Sequence, residues 1–345
     1  MSKPALLQRL LHLIIQASAR AATGIAVSGV CVLQAVSPES AIAATATDAP
    51  MKLYWTDIED DAIYRANLDG SEIEVLFVGD PATNADLYDL DHDPLGTLYW
   101  AGHNDGLPAA RDAIRRANLD GTDAGVIPIG DPGQSLLPRD VEFDSASGAL
   151  YVASEGGGIA RVNADGSGLE DIYTSRGSSG LALDVPGGKV YWTEWDLDRI
   201  MRSNLDGTDV EVLYDYPAFS NNNPQDIEID QTNGWLFWTN PIGQEIVRSD
   251  LDGGNLIVVK TFDNGLPQYL EIDHDNHFIY VTNNVEGTIE RIDIDGGNHT
   301  VVIAGLNNPI GVMLGPSIAI PEPSSWALLG VVGLLGFAFA YRHRI

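Results

Sequence analysis

The stretch from Leu53 to Gly70, LYWTDIEDDAIYRANLDG, contains the three features that decide the fold. They are an aromatic pair, an arginine, and a glycine five residues after that arginine. The arrangement recurs along the chain, and the first aromatics of successive copies are 40 to 52 residues apart. A period of this length indicates a repeat architecture. The aromatics stand at positions 54, 99, 151, 191, 237 and 280, and the arginines are Arg65, Arg116, Arg161, Arg202, Arg248 and Arg291.

Each repeat contains four short runs in which β-branched and aromatic residues alternate with polar ones. Such alternation predicts strands, and the Asp-Gly pairs suit the hairpin between the third and fourth strands. Helical periodicity is absent between Met51 and Pro316. Six such units predict an all-β fold, a six-bladed β-propeller of four-stranded antiparallel blades. In the fifth unit the predicted strands are DIEID from Asp226, LFWTN from Leu236, IVRSDLD from Ile246 and NLIVVK from Asn255.

The two ends of the repeat region predict a closed ring. The first unit begins directly at KLYWTD, without an inner strand, and the region finishes with a spare strand, NPIGVML, from Asn308 to Leu314. Pairing of these two segments would complete a blade and leave no open sheet edge.

The repeats resemble the YWTD repeats, or class B repeats, of the low-density lipoprotein receptor family over residues 51–316. Tyr54-Trp55-Thr56-Asp57 matches the signature letter for letter, and Tyr191-Trp192-Thr193-Glu194 comes next. The other units lack the acidic fourth residue. The resemblance implies a propeller that recognises a protein ligand, without the cysteine-rich modules of the animal receptors.

Residues 1–43 have the pattern of a signal peptide. Lys3, Arg9 and Arg20 are followed by the apolar run AATGIAVSGVCVLQAV and by Ala41-Ile42-Ala43, a site with small residues that suits cleavage. We therefore expect the mature chain to begin at Ala44, with residues 44–50 as a linker to the propeller.

Residues 317–345 form a second segment outside the propeller. Pro321-Glu322-Pro323 precede an apolar run from Trp326 to Tyr341, and Arg342 and Arg344 follow. This tail resembles the PEP-CTERM sorting signal of Gram-negative bacteria, in which a hydrophobic transmembrane helix anchors the protein until an exosortase removes it. A plain single-span membrane anchor is the alternative. Either interpretation places the protein at the cell envelope or surface, or outside the cell.

Charge and cysteine content exclude two classes of function. Removing both ends takes five of 19 Lys and Arg and two of 49 Asp and Glu, leaving 14 against 47. Such an acidic chain is a poor binder of nucleic acid, because phosphate contacts need basic clusters. Cys31, the only cysteine, lies in the leader, so the mature chain has no disulfide and no thiolate chemistry.

The six repeated arginines are predicted to be structural. Each shares a strand face with apolar neighbours, and a blade packs against other blades on both faces, so we expect the arginines to be substantially buried and paired. A row of anion-binding arginines is the alternative. The candidate partners are the strand-one aspartates Asp144, Asp184, Asp230 and Asp273, together with Asp57 and Glu194.

Features that do not repeat point to a binding face. The spacing from aromatic to arginine is 10 or 11 residues in five units but 17 in the second, and the extra residues lie within AGHNDGLPAARDA, from Ala101 to Ala113. In a four-stranded meander this loop emerges on the same face as the long inter-blade segments GDPATNADLYD and YDYPAFSNNNPQD. Long loops on a rigid scaffold are typical of binding sites; solvated loops without a partner are the alternative. The candidate ligand-binding residues are His103, Asn104, Arg111, Tyr216, Phe219 and Asn222.

Acidic residues on the inner strands are candidate metal ligands. DVEFD and DIEID place carboxylates at equivalent positions, and YLEID adds another. Inner strands surround the central channel, where carboxylate oxygens could bind Ca²⁺ and activate water, as in the six-bladed gluconolactonase-like enzymes. Hydrated acids at a channel mouth, without a metal, are the alternative. The candidates are Asp140, Glu142, Asp226, Glu228 and Glu271.

A second acidic run, Asp89, Asp91 and Asp93, alternates along the chain but fails the pattern of a calcium loop. Pro94 stands at the glycine position of an EF-hand loop and Trp100 at that of its closing glutamate. The sequence offers no other catalytic motif of known mechanics.

The sequence therefore predicts an exported or surface-associated bacterial propeller that binds a protein or a glycan, for example in the extracellular matrix. A metal-dependent, lactonase-like hydrolase or lyase that uses the channel carboxylates is the alternative. A purely structural matrix component is a third possibility.

Overall fold

The computed structural model describes residues 50–79, 86–103, 113–129, 136–217 and 222–317, all within one compact unit that begins at Ala46. The side chains of Asp86 and His103 are not among the described ones. The predicted signal peptide and the predicted sorting segment lie outside the described residues. Nowhere in the described ranges does a helix reach the length and apolarity needed to cross a membrane.

The described chain forms six four-stranded antiparallel sheets, numbered here as blades 1 to 6. Blade 1 contains β1 (Met51–Asp57), β2 (Ala62–Asn67), β3 (Glu74–Val78) and, as its inner strand, β24 (Pro309–Pro316). Blade 2 contains β4 (Asp86–His92), β5 (Thr97–His103), β6 (Ala113–Asn118) and β7 (Gly125–Pro128). Blade 3 contains β8 (Pro138–Asp144), β9 (Ala149–Ser154), β10 (Gly158–Asn163) and β11 (Glu170–Tyr173).

The remaining blades repeat the same order. Blade 4 contains β12 (Ser178–Asp184), β13 (Lys189–Glu194), β14 (Arg199–Asn204) and β15 (Glu211–Asp215). Blade 5 contains β16 (Ile227–Asp230), β17 (Trp235–Asn240), β18 (Glu245–Asp250) and β19 (Ile257–Thr261). Blade 6 contains β20 (Pro267–Asp273), β21 (Phe278–Asn283), β22 (Thr288–Asp293) and β23 (His299–Ala304). The predicted fold class is confirmed.

Pairing between the first and last strands confirms the predicted closure of the ring. β24 lies antiparallel to β1, and Met313 is opposite Tyr54. Asp57, which is fully buried, accepts hydrogen bonds from the backbone N–H groups of Asn307 and Asn308, each at 3.1 Å. The closure therefore combines a strand ladder with a buried carboxylate that caps the segment leading into β24.

The aromatic pairs of the repeat fill the space between blades. The second strands of blades 3 to 6 are buried on both faces, because each lies between two neighbouring blades. Trp55, Trp100, Trp192 and Trp238 are at most 1% exposed. A β-strand buried on both faces accepts large apolar side chains at every position, which explains the consecutive aromatics of the repeat.

The threonine of the signature joins each blade to the next. Thr239 Oγ1 accepts a hydrogen bond from Asp226 N of its own blade at 3.2 Å and donates one to Gln268 O of the next blade at 2.6 Å. Blades 2 and 3 have Ala101 and Ala153 in this slot and lack the link. Equivalent pairs of bonds are made by Thr56, Thr193 and Thr282.

The repeated arginines are less buried than predicted. Arg65 is buried, but Arg116 is exposed and the other four are partly exposed. The reason is geometric, because the third strand lies toward the outside of the ring and the outermost strands of blades 1, 4 and 5 are largely exposed. The expectation of substantial burial is therefore confirmed for Arg65, wrong for Arg116 and met only in part by the other four.

The predicted partners of the arginines are also wrong. The residue directly across on the fourth strand is a glutamate in three blades, and it forms the ion pair: Arg65–Glu74 at 2.5 Å, Arg161–Glu170 at 2.6 Å and Arg202–Glu211 at 2.6 Å. The strand-one aspartates instead accept hydrogen bonds at their own turns, as Asp144 does from Ala146 N at 2.9 Å. In blades 5 and 6 the arginines lie over Trp235 and Phe278, at 3.8 and 4.5 Å from the ring centroids.

Candidate functional site: the central channel and the loop face

The inner strands of the six blades place two levels of side chains around the ring axis. The lower level is fixed by register, since each of its residues pairs with the first aromatic of the adjacent strand. It consists of Asp91, Glu142, Ala182, Glu228, Glu271 and Met313. The upper level lies two residues earlier on each strand and consists of Asp89, Asp140, Gly180, Asp226, Tyr269 and Gly311. Seven carboxylates thus share one channel.

Three of the upper-level carboxylates meet. One oxygen from each of Asp89, Asp140 and Asp226 lies within 4.8 Å of the others, and the residues are 7%, 0% and 2% exposed. They come from blades 2, 3 and 5. Glycines stand in two of the remaining slots, and there the neighbouring inner strand approaches so closely that an added Cβ at Gly180 would lie 2.5 Å from the Cα of Asp226.

Several channel carboxylates also hold the next blade. Asp91 accepts from Phe143 N at 2.7 Å, Asp140 from Leu181 N at 2.5 Å, and Asp226 from Leu270 N at 2.7 Å. The first two bonds cross the junctions at which alanine replaces the threonine of the signature. Carboxylates therefore make the inter-blade contact where the hydroxyl is missing.

Two buried oxygens are left over after these contacts. With both carboxyls ionised, Oδ1 of Asp89 and Oδ1 of Asp140 have no hydrogen-bond partner among the described residues; a proton on one of them would let the two carboxyls hydrogen-bond to each other. In the same part of the chain, no lysine, arginine or histidine forms an ion pair with a channel carboxylate. Arg139, beside Asp140 in sequence, lies over the ring of Tyr88 and pairs with Glu155 at 2.6 Å. The channel therefore concentrates negative charge without a counter-ion from the described chain.

Burial and mutual repulsion shift the acidities of these groups in one direction. Burial, followed by the charges of Asp140 and Asp226, raises the pKa of Asp89 well above its ordinary value. Burial, and then the charge of Asp91, does the same for the pKa of Glu142. Burial raises the pKa of Asp226 to about 7. Bringing the negative charges together thus costs free energy unless protons or a cation compensate them.

The donor set suits a hard cation. Carboxylate oxygens are the ligands preferred by Ca²⁺ and Mg²⁺, and neither imidazole nor thiolate is in the group. A cation held there would be a counter-charge for the upper level. Metal-assisted activation of water, the basis of the predicted enzymatic alternative, would need such an ion first.

The structure divides the five predicted metal ligands between the two levels. Asp140 and Asp226 meet at the upper level, whereas Glu142, Glu228 and Glu271 stand at the lower one. Sequence reasoning assigned Asp89 and Asp91 to a failed calcium loop and missed them. Asp89-Leu90-Asp91 is equivalent to Asp140-Val141-Glu142 of blade 3. It is one residue closer in sequence to the first aromatic of the next strand, and this difference in spacing concealed the equivalence.

The loop face is formed by the segments between blades and by the loops between strands two and three. Asp86, at the start of β4, pairs with His103, at the end of β5, so these two strand ends lie side by side. Asn104, Arg111 and Phe219 lie outside the described residues, as does the side chain of His103. Their role in binding stays a prediction.

Tyr216 and Asn222 are described, and both contact blade 5. The hydroxyl of Tyr216 accepts hydrogen bonds from Trp238 Nε1 at 2.8 Å and Asn240 Nδ2 at 2.7 Å. Burial raises the pKa of this hydroxyl to about 12. Oδ1 of Asn222 lies against Gly243. The contacts of Tyr216 hold the inter-blade segment in place. The sequence did not suggest this structural role.

A cleft opens on the loop face between blades 3 and 4, with a volume of about 380 Å³. Its floor is made by the loops after β9 and β13 and by the segments that precede β8 and β12. Sequence reasoning did not single out this cleft, because its loops have the ordinary repeat length. The lining residues are Leu137, Glu155, Gly156, Arg176, Gly177, Trp195 and Asp196.

Comparison with known proteins assigns the two recognisable parts of the chain. The profile of the low-density lipoprotein receptor repeat class B matches residues 51–92 and 188–230, which begin in blades 1 and 4. The profile of the PEP-CTERM protein-sorting motif matches residues 319–344. The two blades recognised are those whose second strands read YWTD and YWTE.

Curated relatives are receptor-related proteins. The low-density lipoprotein receptor-related protein 1 of Pyricularia oryzae is 30% identical over 166 residues, which are 41% of this chain and 52% of that protein. The human low-density lipoprotein receptor-related protein 5-like protein is 28% identical over 169 residues, 47% of this chain and 61% of that protein. The mouse low-density lipoprotein receptor-related protein 5 is 29% identical over 171 residues, which are 10% of its length. The chain thus spans about half, or much less, of the curated relatives it matches.

Solved structures show the same fold at low identity. A chain of the nidogen/laminin complex superposes with a TM-score of 0.64 and 18% identity, covering 77% of this chain and 98% of that one. Virginiamycin B lyase from Staphylococcus aureus gives 0.56 and 19%, covering 75% and 84%. The chain is therefore a six-bladed β-propeller in which segments beginning in blades 1 and 4 match the low-density lipoprotein receptor repeat class B, and its C-terminal segment matches the PEP-CTERM sorting motif.

Proposed function

We propose that the exported chain binds a protein partner through its loop face, with the cleft between blades 3 and 4 at the centre of the contact. The observation that carries the proposal is that this cleft is preformed. Backbone hydrogen bonds connect its walls, from Glu155 N to Leu137 O at 3.0 Å, from Gly177 N to Glu155 O at 2.8 Å and from Trp195 N to Gly177 O at 2.9 Å. A preformed cleft reduces the ordering cost of binding.

The chemistry of the cleft suits a protein surface. Trp195 and the exposed Arg176 are of the residue types that dominate interface energies. Glu155 and Asp196 place acids at the same rim, and the net charge of the chain is -30. A partner surface with basic groups around an apolar or acidic centre would complement this arrangement.

Similarity to other propellers also supports a protein partner. The curated relatives are named as receptor-related proteins, and one similar fold comes from the complex of nidogen with laminin. The insertion between Ala101 and Ala113 belongs to the same face, so we retain His103, Asn104 and Arg111 as proposed contributors, together with Tyr216, Phe219 and Asn222. Processing by an exosortase-type enzyme would follow from the sorting motif.

Cross-linking on native cell envelopes tests the proposal. Trp195→Ala and Arg176→Glu should each reduce retention of the exported protein at least about tenfold, which corresponds to a loss of roughly 1.4 kcal/mol. Arg116→Glu, an equal change in charge at an exposed site on β6, is the matched control and should bind normally. Equal retention of all variants would overturn the proposal.

Treatment of the envelopes identifies the class of partner. Protease digestion should abolish retention if the partner is a protein. Loss of retention after periodate oxidation, with no effect of protease, would favour a glycan instead. The hydrolase or lyase alternative is favoured only by the meeting of Asp89, Asp140 and Asp226, and it requires a cation bound by these three carboxylates.

A further inference from the structure

We propose that Asp89, Asp140 and Asp226 bind one Ca²⁺ ion in the central channel. The site is separate from the loop-face cleft, and it does not depend on the identity of any partner. Its three ligands come from the inner strands β4, β8 and the segment entering β16, so the ion would connect blades 2, 3 and 5.

The geometry of the group is that of a cation site. The three oxygens lie within 4.8 Å of one another. Two ligands on opposite sides of a Ca²⁺ ion are separated by about twice the Ca–O distance of 2.3–2.6 Å, and adjacent ligands are closer. Separations within this bound are of the size that shared coordination of one Ca²⁺ ion produces.

Unsatisfied oxygens provide a second and independent observation. Asp89 is 7% exposed and Asp140 is fully buried, yet Oδ1 of each lacks a hydrogen-bond partner in the described part of the chain. Buried carboxylate oxygens in native proteins are nearly always hydrogen-bonded, paired with a cation or bound to a metal. Oδ2 of Asp140 and Oδ2 of Asp226 are already used by Leu181 N and Leu270 N, which fixes the orientation of both groups.

The arrangement of the blades gives the ion a structural role. Junctions 2–3 and 3–4 lack the threonine hydroxyl that links the other blades, because Ala101 and Ala153 occupy that slot. Asp89 and Asp140 project from the inner strands of blades 2 and 3 and therefore flank junction 2–3. A cation between them would add metal–oxygen bonds across that junction, beside the hydrogen bond from Phe143 N to Asp91.

Calcium is preferred over magnesium because Mg²⁺ requires near-ideal octahedral geometry at about 2.0–2.1 Å, whereas Ca²⁺ accepts flexible coordination by carboxylate oxygens. Extracellular modules bind Ca²⁺ with dissociation constants on the order of 10⁻⁴–10⁻³ M, which suits a chain that carries a sorting motif for export.

Calorimetry on the full-length protein, stripped with EDTA and dialysed, tests the site with Ca²⁺ alone as the probe. We expect one ion per chain and a higher melting temperature in Ca²⁺ than in EDTA. Tb³⁺ should bind at the same place and emit when tyrosine is excited, since Tyr269 stands at the same level of the channel. Ca²⁺ should quench that emission by competition.

Asp89→Asn and Asp140→Asn separate binding from folding. Each should weaken Ca²⁺ binding at least tenfold and remove the rise in melting temperature. In EDTA both should be as stable as the unchanged protein or more so, because each removes one of several repelling charges. Asp165→Asn, at an exposed hairpin tip, is the matched control and should leave Ca²⁺ binding unchanged.

Four outcomes would overturn the proposal. They are no response to Ca²⁺, a full response in Asp89→Asn, a response to Mg²⁺ but not to Ca²⁺, and loss of the response only in the lower-level variant Glu228→Gln. Unchanged envelope retention of Trp195→Ala and Arg176→Glu, with intact Ca²⁺ binding, would contradict the loop-face proposal alone. Loss of Ca²⁺ binding in both aspartate variants with normal retention would support the ion and leave the loop-face proposal unaffected.

Discussion

Acidic residues on the outer strands and hairpins of the propeller, its rim, have surroundings opposite to those of the acidic residues in its channel. On the rim, Glu74 lies across from Arg65, and the hydrogen bond from that arginine lowers the pKa of the glutamate. At the hairpin tips, bonds from Ser71 lower the pKa of Asp69. In the channel, burial and neighbouring carboxylates raise the pKa of Asp140 and of Glu228. The same residue types are thus compensated locally at the rim and uncompensated at the axis.

This difference separates scaffold from site. The hairpin-tip aspartates recur in all six blades and each accepts a hydrogen bond from the backbone two residues later, and the fourth-strand glutamates recur in three blades together with their arginines. Channel acids occupy repeated positions, but their numbers differ between blades, with Gly180 and Ala182 in blade 4 and none at all in β24. A charged residue at a repeated position indicates a ligand when the repeat supplies no partner that compensates its charge. Such a residue is a better indication than a conspicuous motif.

The largest expected effect is on the pH dependence of stability in EDTA. Folded channel carboxyls keep protons that the unfolded chain releases above about pH 4, so the folded state binds more protons and stability falls as pH rises. For Asp226 the fall should run from about pH 4 to its pKa of about 7 and reach on the order of 4 kcal/mol if that group titrates alone, and the raised pKa values of the other channel carboxyls add to the fall. Urea midpoints at four pH values measure it.

Asp226→Asn is the control for this pH profile. It keeps a carbonyl oxygen for the bond from Leu270 N and should flatten part of the slope. A profile that is flat, or that rises toward pH 7 in EDTA, would show that the channel acids are compensated like those at the rim and would break the comparison.

A smaller effect is expected from removing the hydrogen bonds by which the signature threonines join neighbouring blades. Thr239→Val keeps the shape of the side chain but leaves Asp226 N and Gln268 O without their partner, which should cost about 1 to 3 kcal/mol. Thr239→Ser retains the hydroxyl and should cost less. The loss should not vary between pH 5 and 8, which would distinguish a buried neutral bond from the carboxylates beside it. An equally stable valine variant would contradict the role given to the signature threonine.

The smallest effects belong to the rim. Arg65→Gln should cost about 1 to 2 kcal/mol, because this side chain is 5% exposed and also contacts Leu119 O. Arg161→Gln should cost less than about 1 kcal/mol, since its side chain is 34% exposed and its partner 54%. Thermal melts at low and high salt provide the measurement. A larger loss for Arg161 than for Arg65 would refute the link between depth and energy.

The sequence predicted the architecture well because the signals were repeated six times. The strands of blade 5 differ from their predicted bounds by at most two residues, and β24 pairs with β1 as expected. Partners of the arginines were mispredicted because alternation along a strand tells which residues share a face, but not how far each lies from the axis. Glu74 is nine residues from Arg65 and directly across the hairpin, so the hairpin register was the signal to use.

By itself the sequence determined the repeat, the number of blades, the closing strand and the acidic, export-type character of the chain. These follow from local periodicity and composition, which do not depend on distant contacts. Only the tertiary structure decided that Asp89 joins Asp140 and Asp226, that two of their oxygens lack partners, and that the cleft between blades 3 and 4 is held open by backbone bonds. Closure of the ring brings together residues up to 137 positions apart in the sequence, and no local pattern encodes that meeting.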